Sequence, residues 1–365
     1  MKKSQIIFFV SLIFTILLLT HIVVYKGLIF IFPISSQSLL IILKILTVVL
    51  SLSFVGSLLL SSRYSNFFTK IFYPSMATWL GFLLYLFLVS IILGLLSIFR
   101  IHVLVFDEIL FGLAILIAIY GFVHEKKIYM VTTKIELPNL PEFWKDKKII
   151  FVSDLHLGHI HGRKFAQKVA DKIHGLNPDL LLIGGDLYDG VVVDKQRIIE
   201  PLKKLNPSLG IYFVTGNHDG FTTEDTDQDV LTISQSGIKV LQNEIINING
   251  LQIIGVNYRD TANRQNFTEI LNGININPKQ PSILLKHVPD NVDIGAEKGI
   301  SLMLCGHTHR AQVWPFQFIP RLVYKHFDYG LKESGQMKVF TSSGVGTWGP
   351  PFRVGTNSEI VTIVF

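Results

Sequence analysis

Five short stretches of the sequence set aspartate, asparagine and histidine at tight spacing. They are Asp154-Leu155-His156, Gly185-Asp186-Leu187-Tyr188-Asp189, Gly216-Asn217-His218-Asp219, the isolated His287, and Gly306-His307-Thr308-His309. In an extended segment, side chains two residues apart lie on the same side. Asp154 and His156 can therefore reach one cation, and so can His307 and His309. Carboxylate, imidazole and amide donors without a thiolate suit manganese, iron or zinc. Each residue alone has a plainer role. A single aspartate can cap a helix, an asparagine after glycine can make a turn, and a single histidine is more often structural. The joint occurrence points to one site.

Apolar runs precede these residues. Strands are expected over Ile149–Ser153, Leu180–Ile183, Ile211–Thr215, Ile283–Leu285 and Leu302–Cys305, with two more over Leu251–Val256 and Val339–Ser342. Each of the first five ends at or just before a polar stretch. Ligands of open α/β sheets bind beyond the carboxyl ends of strands. Phe165, Val169, Ile173 and Leu176 recur at helical spacing, which predicts a helix over Arg163–Leu176 ended by Asn177-Pro178. A second helix is expected around Arg197–Leu205.

Taken in order, the five stretches resemble the calcineurin-like metallophosphoesterase family, and the likeness runs from about Lys147 to Phe365. The ending Ser342-Ser343-Gly344-Val345-Gly346-Thr347-Trp348-Gly349-Pro350-Pro351 resembles its membrane-associated bacterial branch. Some members of that branch act on lipid or nucleotide-sugar pyrophosphates. The resemblance implies an αββα sandwich and two divalent metal ions. One ion would take Asp154, His156, Asp186 and His309, the other Asp186, Asn217, His287 and His307. Asp186 would bridge them, which needs a carboxylate because an oxygen must face each cation. Two such ions can clamp a phosphoryl group and activate water. His218 adjoins Asn217 and cannot easily share its metal. Its ordinary pKa near 6.5 suits proton donation to a leaving oxygen. In the family pattern an aspartate, here Asp189, orients that histidine.

Two departures count against the protein-phosphatase branch. Gly190 stands where that branch has a phosphate-gripping arginine, and the stretch between Asp219 and His287 is short. His159, His161 and His174 match no motif and are expected on the surface or at the mouth of the site. Cys305 reads as a small core residue. As the only cysteine it excludes an intrachain disulfide.

These residues occupy only part of the chain. The protein has 365 residues, 49% hydrophobic and 16% charged, with a formal net charge of +6. Up to Glu125 there are seven Lys/Arg and three Asp/Glu; the later part carries 26 basic and 24 acidic residues. That near balance offers nothing to recruit nucleic acid. The oily first third holds four stretches long enough to cross a bilayer, Ile6–Tyr25, Leu39–Leu60, Met76–Phe99 and Ile101–Val123. The first has the basic start of a signal peptide, but its apolar core is too long and no small-residue cleavage site follows. A soluble bundle would need polar faces that these segments lack. Asp107 and Glu108, early in the fourth span, are expected at the outer interface near Arg100, the alternative being a functional pair inside the bilayer.

The expected fold class is therefore α/β: a four-helix transmembrane bundle over residues 1–125, a linker over 126–146, and the sandwich over 147–365. The expected activity is hydrolysis of a phosphodiester or pyrophosphate at the membrane, with lipid-linked substrates favoured by the anchor. The alternatives are a tethered soluble nucleotide phosphodiesterase and a non-enzymatic sensor or transporter. The expected location is the cell membrane, multi-pass. With a cytoplasmic amino terminus, Lys2, Lys3, Arg63, Lys70, Lys126, Lys127 and Lys134 all fall inside, leaving Lys26 and Arg100 outside and Lys44 near a span end. This charge bias predicts a cytoplasmic catalytic domain. An alkaline phosphatase fusion after Phe365 should be inactive; an active fusion, which requires export, would reverse the orientation.

Overall fold

In the computed structural model, residues 3–100, 103–220 and 223–365 are described. They form two compact units. One runs to His124 and includes Gly349–Phe352; the other comprises Glu125–Trp348 and Arg353–Phe365.

The first unit contains the helices α1 (Lys3–Ile31), α2 (Gln37–Ser61), α3 (Phe67–Ile98) and α4 (Leu104–His124). All four have the length and composition to span a bilayer. They overlap the four expected spans, but α1 runs past Tyr25 to Ile31 and α3 begins at Phe67 rather than Met76; Ile101 and His102 lie outside the described residues. Asn66 and Thr69 close a reciprocal capping box at the start of α3. Between helices, the Trp79 indole N–H donates to His21 Nε2 at 3.0 Å, and His21 Nδ1 lies 2.8 Å from the Leu17 carbonyl. A polar pair thus joins α1 to α3 with its hydrogen-bonding groups satisfied. Asp107 is buried in the first turn of α4 and Glu108 is exposed.

The second unit is built on two six-stranded sheets. In chain order the strands are β1 (Ile128–Lys134), β2 (Ile149–Val152), β3 (Leu180–Ile183), β4 (Ile211–Phe213), β5 (Lys239–Val240), β6 (Glu244–Ile248), β7 (Leu251–Gly255), β8 (Ser282–Leu285), β9 (Leu302–Cys305), β10 (Gly330–Ser334), β11 (Met337–Thr341) and β12 (Ser358–Val364). One sheet has the order β1-β12-β2-β3-β4-β5 and the other β10-β11-β9-β8-β7-β6. In the first, β2 to β5 run parallel; in the second, β7, β8, β9 and β11 do. Strands such as Ile-Ile-Phe-Val and Leu-Met-Leu-Cys are buried along their whole length. That is why they read as unbroken apolar runs rather than alternating ones.

Phe151, Leu180 and Leu182 from one sheet share a core with Ile253, Ile283, Leu285, Leu302 and Leu304 from the other. The outer face of the first sheet is covered by α5 (Arg163–Gly175), which buries Ala166, Val169, Ala170 and Ile173. The second expected helix divides into Lys195–Ile199 and a 3-10 turn over Glu200–Lys204, with Pro201 at the join. Proline supplies no N–H to continue the α-helical ladder.

The stretch 126–146, expected to be a linker, holds β1 and packs Ile135, Leu137 and Trp144 into the shared core. β1 pairs in parallel with β12 from Ile128↔Ser358 to Lys134↔Val364. It is an edge strand in which only Ile128 is buried, so its sequence carries no long apolar run.

Candidate metal centre

Five parallel strand ends converge on one pocket. β2 leads to Asp154 and His156, β3 to Asp186 and Asp189, and β4 to Asn217 and His218. From the other sheet, β8 leads to His287 and β9 to His307 and His309. Asp154, His156, Asp186, His287 and His309 are buried; Asn217, His218 and His307 are half-buried.

The side chains form two clusters joined by Asp186. In the first, His156 Nε2 and His309 Nε2 lie 3.0 Å apart, and His309 Nε2 is 3.4 Å from Asp154 Oδ1. In the second, Asn217 Oδ1 is 3.0 Å from His287 Nε2 and 2.8 Å from His307 Nδ1. Asp186 Oδ2 lies 3.2 Å from His287 Nε2 and 3.7 Å from His156 Nε2. The groups Asp154–His156–His309 and Asp186–His287–His307 each offer ligand atoms within 4.8 Å of one another.

The backbone is bent to make room for them. Asp154, His156, Asp186, His307 and His309 all have positive φ, between 46° and 70°. Aspartate and histidine tolerate that region better than most residues, but each instance costs about 1–3 kcal/mol. Glycines flank them where space is shortest. Gly185, at φ +95°, would set a Cβ 2.6 Å from His287 Nδ1, and a Cβ on Gly306 would collide with the Asp154 carboxylate. The Gly-Asp and Gly-His pairs are thus steric requirements of the pocket.

Burial and neighbouring charge pull these groups in opposite directions. Burial raises the Asp154 pKa. Burial also opposes ionisation of Asp186, but His287 overcomes it and holds that carboxylate well below its usual range. His287 is correspondingly pushed up to about 9, against its own burial. Burial pulls His307 down to about 3 and also lowers His218. Imidazole nitrogens face each other at hydrogen-bond distance beside the Asp154 carboxylate in the first cluster, and in the second they converge with Asn217 Oδ1 next to Asp186. A cation supplies what these atoms have in common, so the residues fit bound divalent metal.

Further contacts fix the rings. His287 Nδ1 is 2.8 Å from the Gly184 carbonyl, which leaves Nε2 facing the pocket. Asp189 Oδ1 lies 3.3 Å from His156 Nδ1. Asp189 shares a third cluster with His156 and His218, again within 4.8 Å. His218 donates its backbone N–H to Asp186 Oδ1 at 2.8 Å, and its ring stands edge-on to His156 and near Trp348.

Two supports have no assignment in the sequence reading. Asp219 is buried, and its carboxylate accepts the backbone N–H groups of Asp186, Leu187, Tyr188 and Gly216 at 2.8–3.2 Å, locking the β3 loop to the β4 loop. Its place in the Gly-Asn-His-Asp stretch is the signal that could have found it. Arg353 is fully buried; its guanidinium donates to the carbonyls of His309, Ser343, Gly344 and Gly346. Nothing in Pro351-Phe352-Arg353-Val354 marks that role.

His161, expected at the surface or the mouth, is 3% exposed, whereas His174 is exposed and His159 half-buried. The Thr347 backbone N–H donates to His161 Nε2 at 3.0 Å, and Thr347 Oγ1 is 2.9 Å away. Glu125 Oε1 also lies 3.6 Å from that nitrogen. A nitrogen accepting an N–H has its lone pair engaged, so the neutral ring is the consistent state and the Glu125 contact is not an ion pair. Burial first, with His156 and Arg353 adding, pulls His161 down to about 3, while burial raises Glu125. Cys305 is buried, as expected.

A family profile described as calcineurin-like phosphoesterase matches residues 147–311. An uncharacterised metallophosphoesterase of Campylobacter jejuni is 33% identical over 63% of this chain and 61% of its own length. A zebrafish transmembrane protein with metallophosphoesterase domain is 31% identical over 68% and 60%. An uncharacterised metallophosphoesterase of Aquifex aeolicus is 32% identical over 69% of this chain and 97% of its own length. The chain thus spans about 60% of the length of the first two relatives.

The depressed pKa of His161 has a consequence for stability. Its neutral form contributes fully above the unfolded value near 6.5, and that contribution is lost as pH falls toward 3. Acidification from pH 7 to pH 5 should remove on the order of 2 kcal/mol through this residue. His161→Gln, which keeps an acceptor and does not titrate, should show a smaller loss in denaturant unfolding. Equal losses in both proteins would clear His161 of the effect.

Proposed function

This chain belongs to the calcineurin-like phosphoesterase family, and from that premise we propose that it hydrolyses a phosphodiester or pyrophosphate at a membrane surface. The observation that carries the reading is the position of Asp186. One carboxylate oxygen faces His287 from one cluster and His156 from the other. The proposed ligands are Asp154, His156, Asp186 and His309 for one divalent ion, and Asp186, Asn217, His287 and His307 for a second. Manganese, iron and zinc all match this set. Bound there, the ions supply a charge clamp for the phosphoryl oxygens and a nucleophile at neutral pH.

The protein's own groups do the positioning. The His218 N–H engages Asp186 Oδ1 and leaves Oδ2 for the ring nitrogens. Asp189 faces His156 Nδ1 and so orients the ring whose Nε2 enters the pocket. Asp219 holds the Asp186 loop by its backbone. His218, half-buried beside Trp348, is the proposed proton donor to the leaving oxygen. Burial lowers its pKa and outweighs the opposing pull of the Asp186 and Asp189 carboxylates, which are the groups in the pocket that favour the protonated ring. Four apolar helices long enough to cross a bilayer support a membrane-held catalytic domain, and with it a lipid-linked phosphoester as the substrate. The loop charges support a cytoplasmic catalytic domain.

Two measurements test this reading. Full-length protein in detergent with Mn²⁺ should turn over bis(p-nitrophenyl) phosphate, and chelation should stop it. Asp186→Asn should lose both activity and bound metal by elemental analysis. An active variant that still holds two ions per chain would exclude a bridging carboxylate, and a metal-loaded wild type without turnover would favour a sensor. His218→Ala should retain its metal but slow about 10²–10⁴-fold on esters with poor leaving groups. On nitrophenyl esters, whose leaving group needs no proton, the loss should be smaller. If both substrate types slow equally, His218 binds phosphate rather than donating a proton.

A further inference from the structure

One segment beside the metal centre exposes apolar side chains where a soluble surface would hide them. Trp314, Phe318, Ile319, Leu322 and Val323 are 58%, 54%, 46%, 75% and 63% exposed within ten residues. Elsewhere in this unit Met130, Phe143, Val192, Leu231 and Leu331 are exposed singly along the chain. Scattered exposed residues are ordinary, whereas a contiguous patch marks an interaction surface.

The segment is also charged on one sign only. From Val313 to Phe327 it carries Arg321, Lys325 and His326 and no acidic residue, and all three basic side chains are exposed. Aromatic and aliphatic tips flanked by cations are the composition that enters the headgroup region of an anionic bilayer. A groove for a peptide helix would show the same apolar face but gains nothing from the exclusion of acids.

Its location ties it to the chemistry. Tyr324, which follows the short helix Phe318–Val323, stands edge-on to the His307 ring at 6.0 Å. Val323, Tyr324 and Lys325 line a cleft of about 700 Å³ that also includes Tyr258, Val288 and His307. On the other side, Gln312 holds the backbone of Trp348 through bonds of 2.6 and 3.0 Å, and that exposed ring lies 5.9 Å from His218. The patch therefore rims the pocket from His307 round to His218.

We infer that residues 314–325, with Trp348, form an interfacial docking surface for an anionic phospholipid bilayer, and that it presents membrane-embedded phosphoesters to the metal centre. This rests on the phosphoesterase reading for the chemistry but not for the docking. The test uses full-length protein in vesicles of phosphatidylglycerol and phosphatidylcholine. Leu322→Cys carries an environment-sensitive fluorophore; the native Cys305 is buried with its thiol pKa raised by burial, so it does not compete. Phe318→Cys is a second label site. Lys279→Cys, exposed before the amino-terminal end of β8, is the control.

Spin-labelled lipids should quench positions 318 and 322 at a depth of about 5–10 Å and leave 279 unquenched. Quenching should weaken in pure phosphatidylcholine. No quenching at either site, equal quenching at 279, or cross-linking of 322 to a second copy in place of quenching would each overturn the proposal. Turnover of bis(p-nitrophenyl) phosphate by the same labelled protein separates the two readings. Quenching without turnover would sink the phosphoesterase reading alone, and turnover without quenching would sink the docking surface alone.

Discussion

Buried carboxylates, among them Asp154, Asp186 and Asp219, crowd into one pocket with five histidines, and the rest of the structure answers to that fact. An isolated buried carboxylate is too costly to keep ionised. Each one here is met differently. Asp219 accepts four backbone N–H groups from two loops. Asp186 has the His218 N–H on one oxygen and imidazoles on the other. Asp154 has the His307 N–H at 3.0 and 3.1 Å from its two oxygens. These contacts hold geometry, and they leave His156 Nε2 and His309 Nε2 facing each other beside the Asp154 carboxylate. The pocket is organised for something the chain itself does not contain.

Holding that geometry is expensive. Five residues of the pocket sit at positive φ, and at about 1–3 kcal/mol each their strain is comparable with the whole stability of an ordinary domain. The two sheets offset it by fixing both ends of every loop. Fully buried strands of four residues pin the start. Buried polar groups then tie loop to loop: Asp219 joins those after β3 and β4, and Arg353 joins the one after β9 to the segment 343–346. Removing either would leave buried backbone groups without partners, which costs more than the bonds contribute net. The two residues are structural in contact and functional in consequence.

How far the sequence could show this depends on what each residue needs nearby. Strands buried on both faces need apolar side chains throughout, so β3 and β9 are legible to the residue in Leu-Leu-Leu-Ile and Leu-Met-Leu-Cys. The metal-site stretches are legible because left-handed turns and close approach demand glycine beside the acid or histidine. Edge strands need only a half-buried face, so β1, β6 and β10 left no run to find. β6 and β7 did carry a signal in Asn249-Gly250, a two-residue hairpin turn with both φ positive. Arg353 and the burial of His161 were illegible for another reason. The His309 partner of Arg353 and the Thr347 and Glu125 partners of His161 are distant in sequence, and nothing local requires them.

Two kinds of exposed apolar surface occur in this chain. The helices α1 to α4 expose many leucine, isoleucine and phenylalanine side chains, and their length and composition suit a lipid solvent. The segment 314–325 is too short to span anything, and it interrupts its apolar side chains with Arg321 and Lys325. A spanning helix excludes cations from its middle, whereas an interfacial element uses them at the level of the headgroups. Regular helix is confined to Phe318–Val323, with Pro315 ahead of it and Pro320 in its first turn, where the missing N–H is tolerated. What remains is an irregular rim whose backbone is held by contacts such as those of Gln312 and Gln317 with Trp348 and Val354. Under the proposed docking, such a rim beside the metal centre would make the surface around the site, rather than the ligand set within it, the part of the protein that selects a substrate.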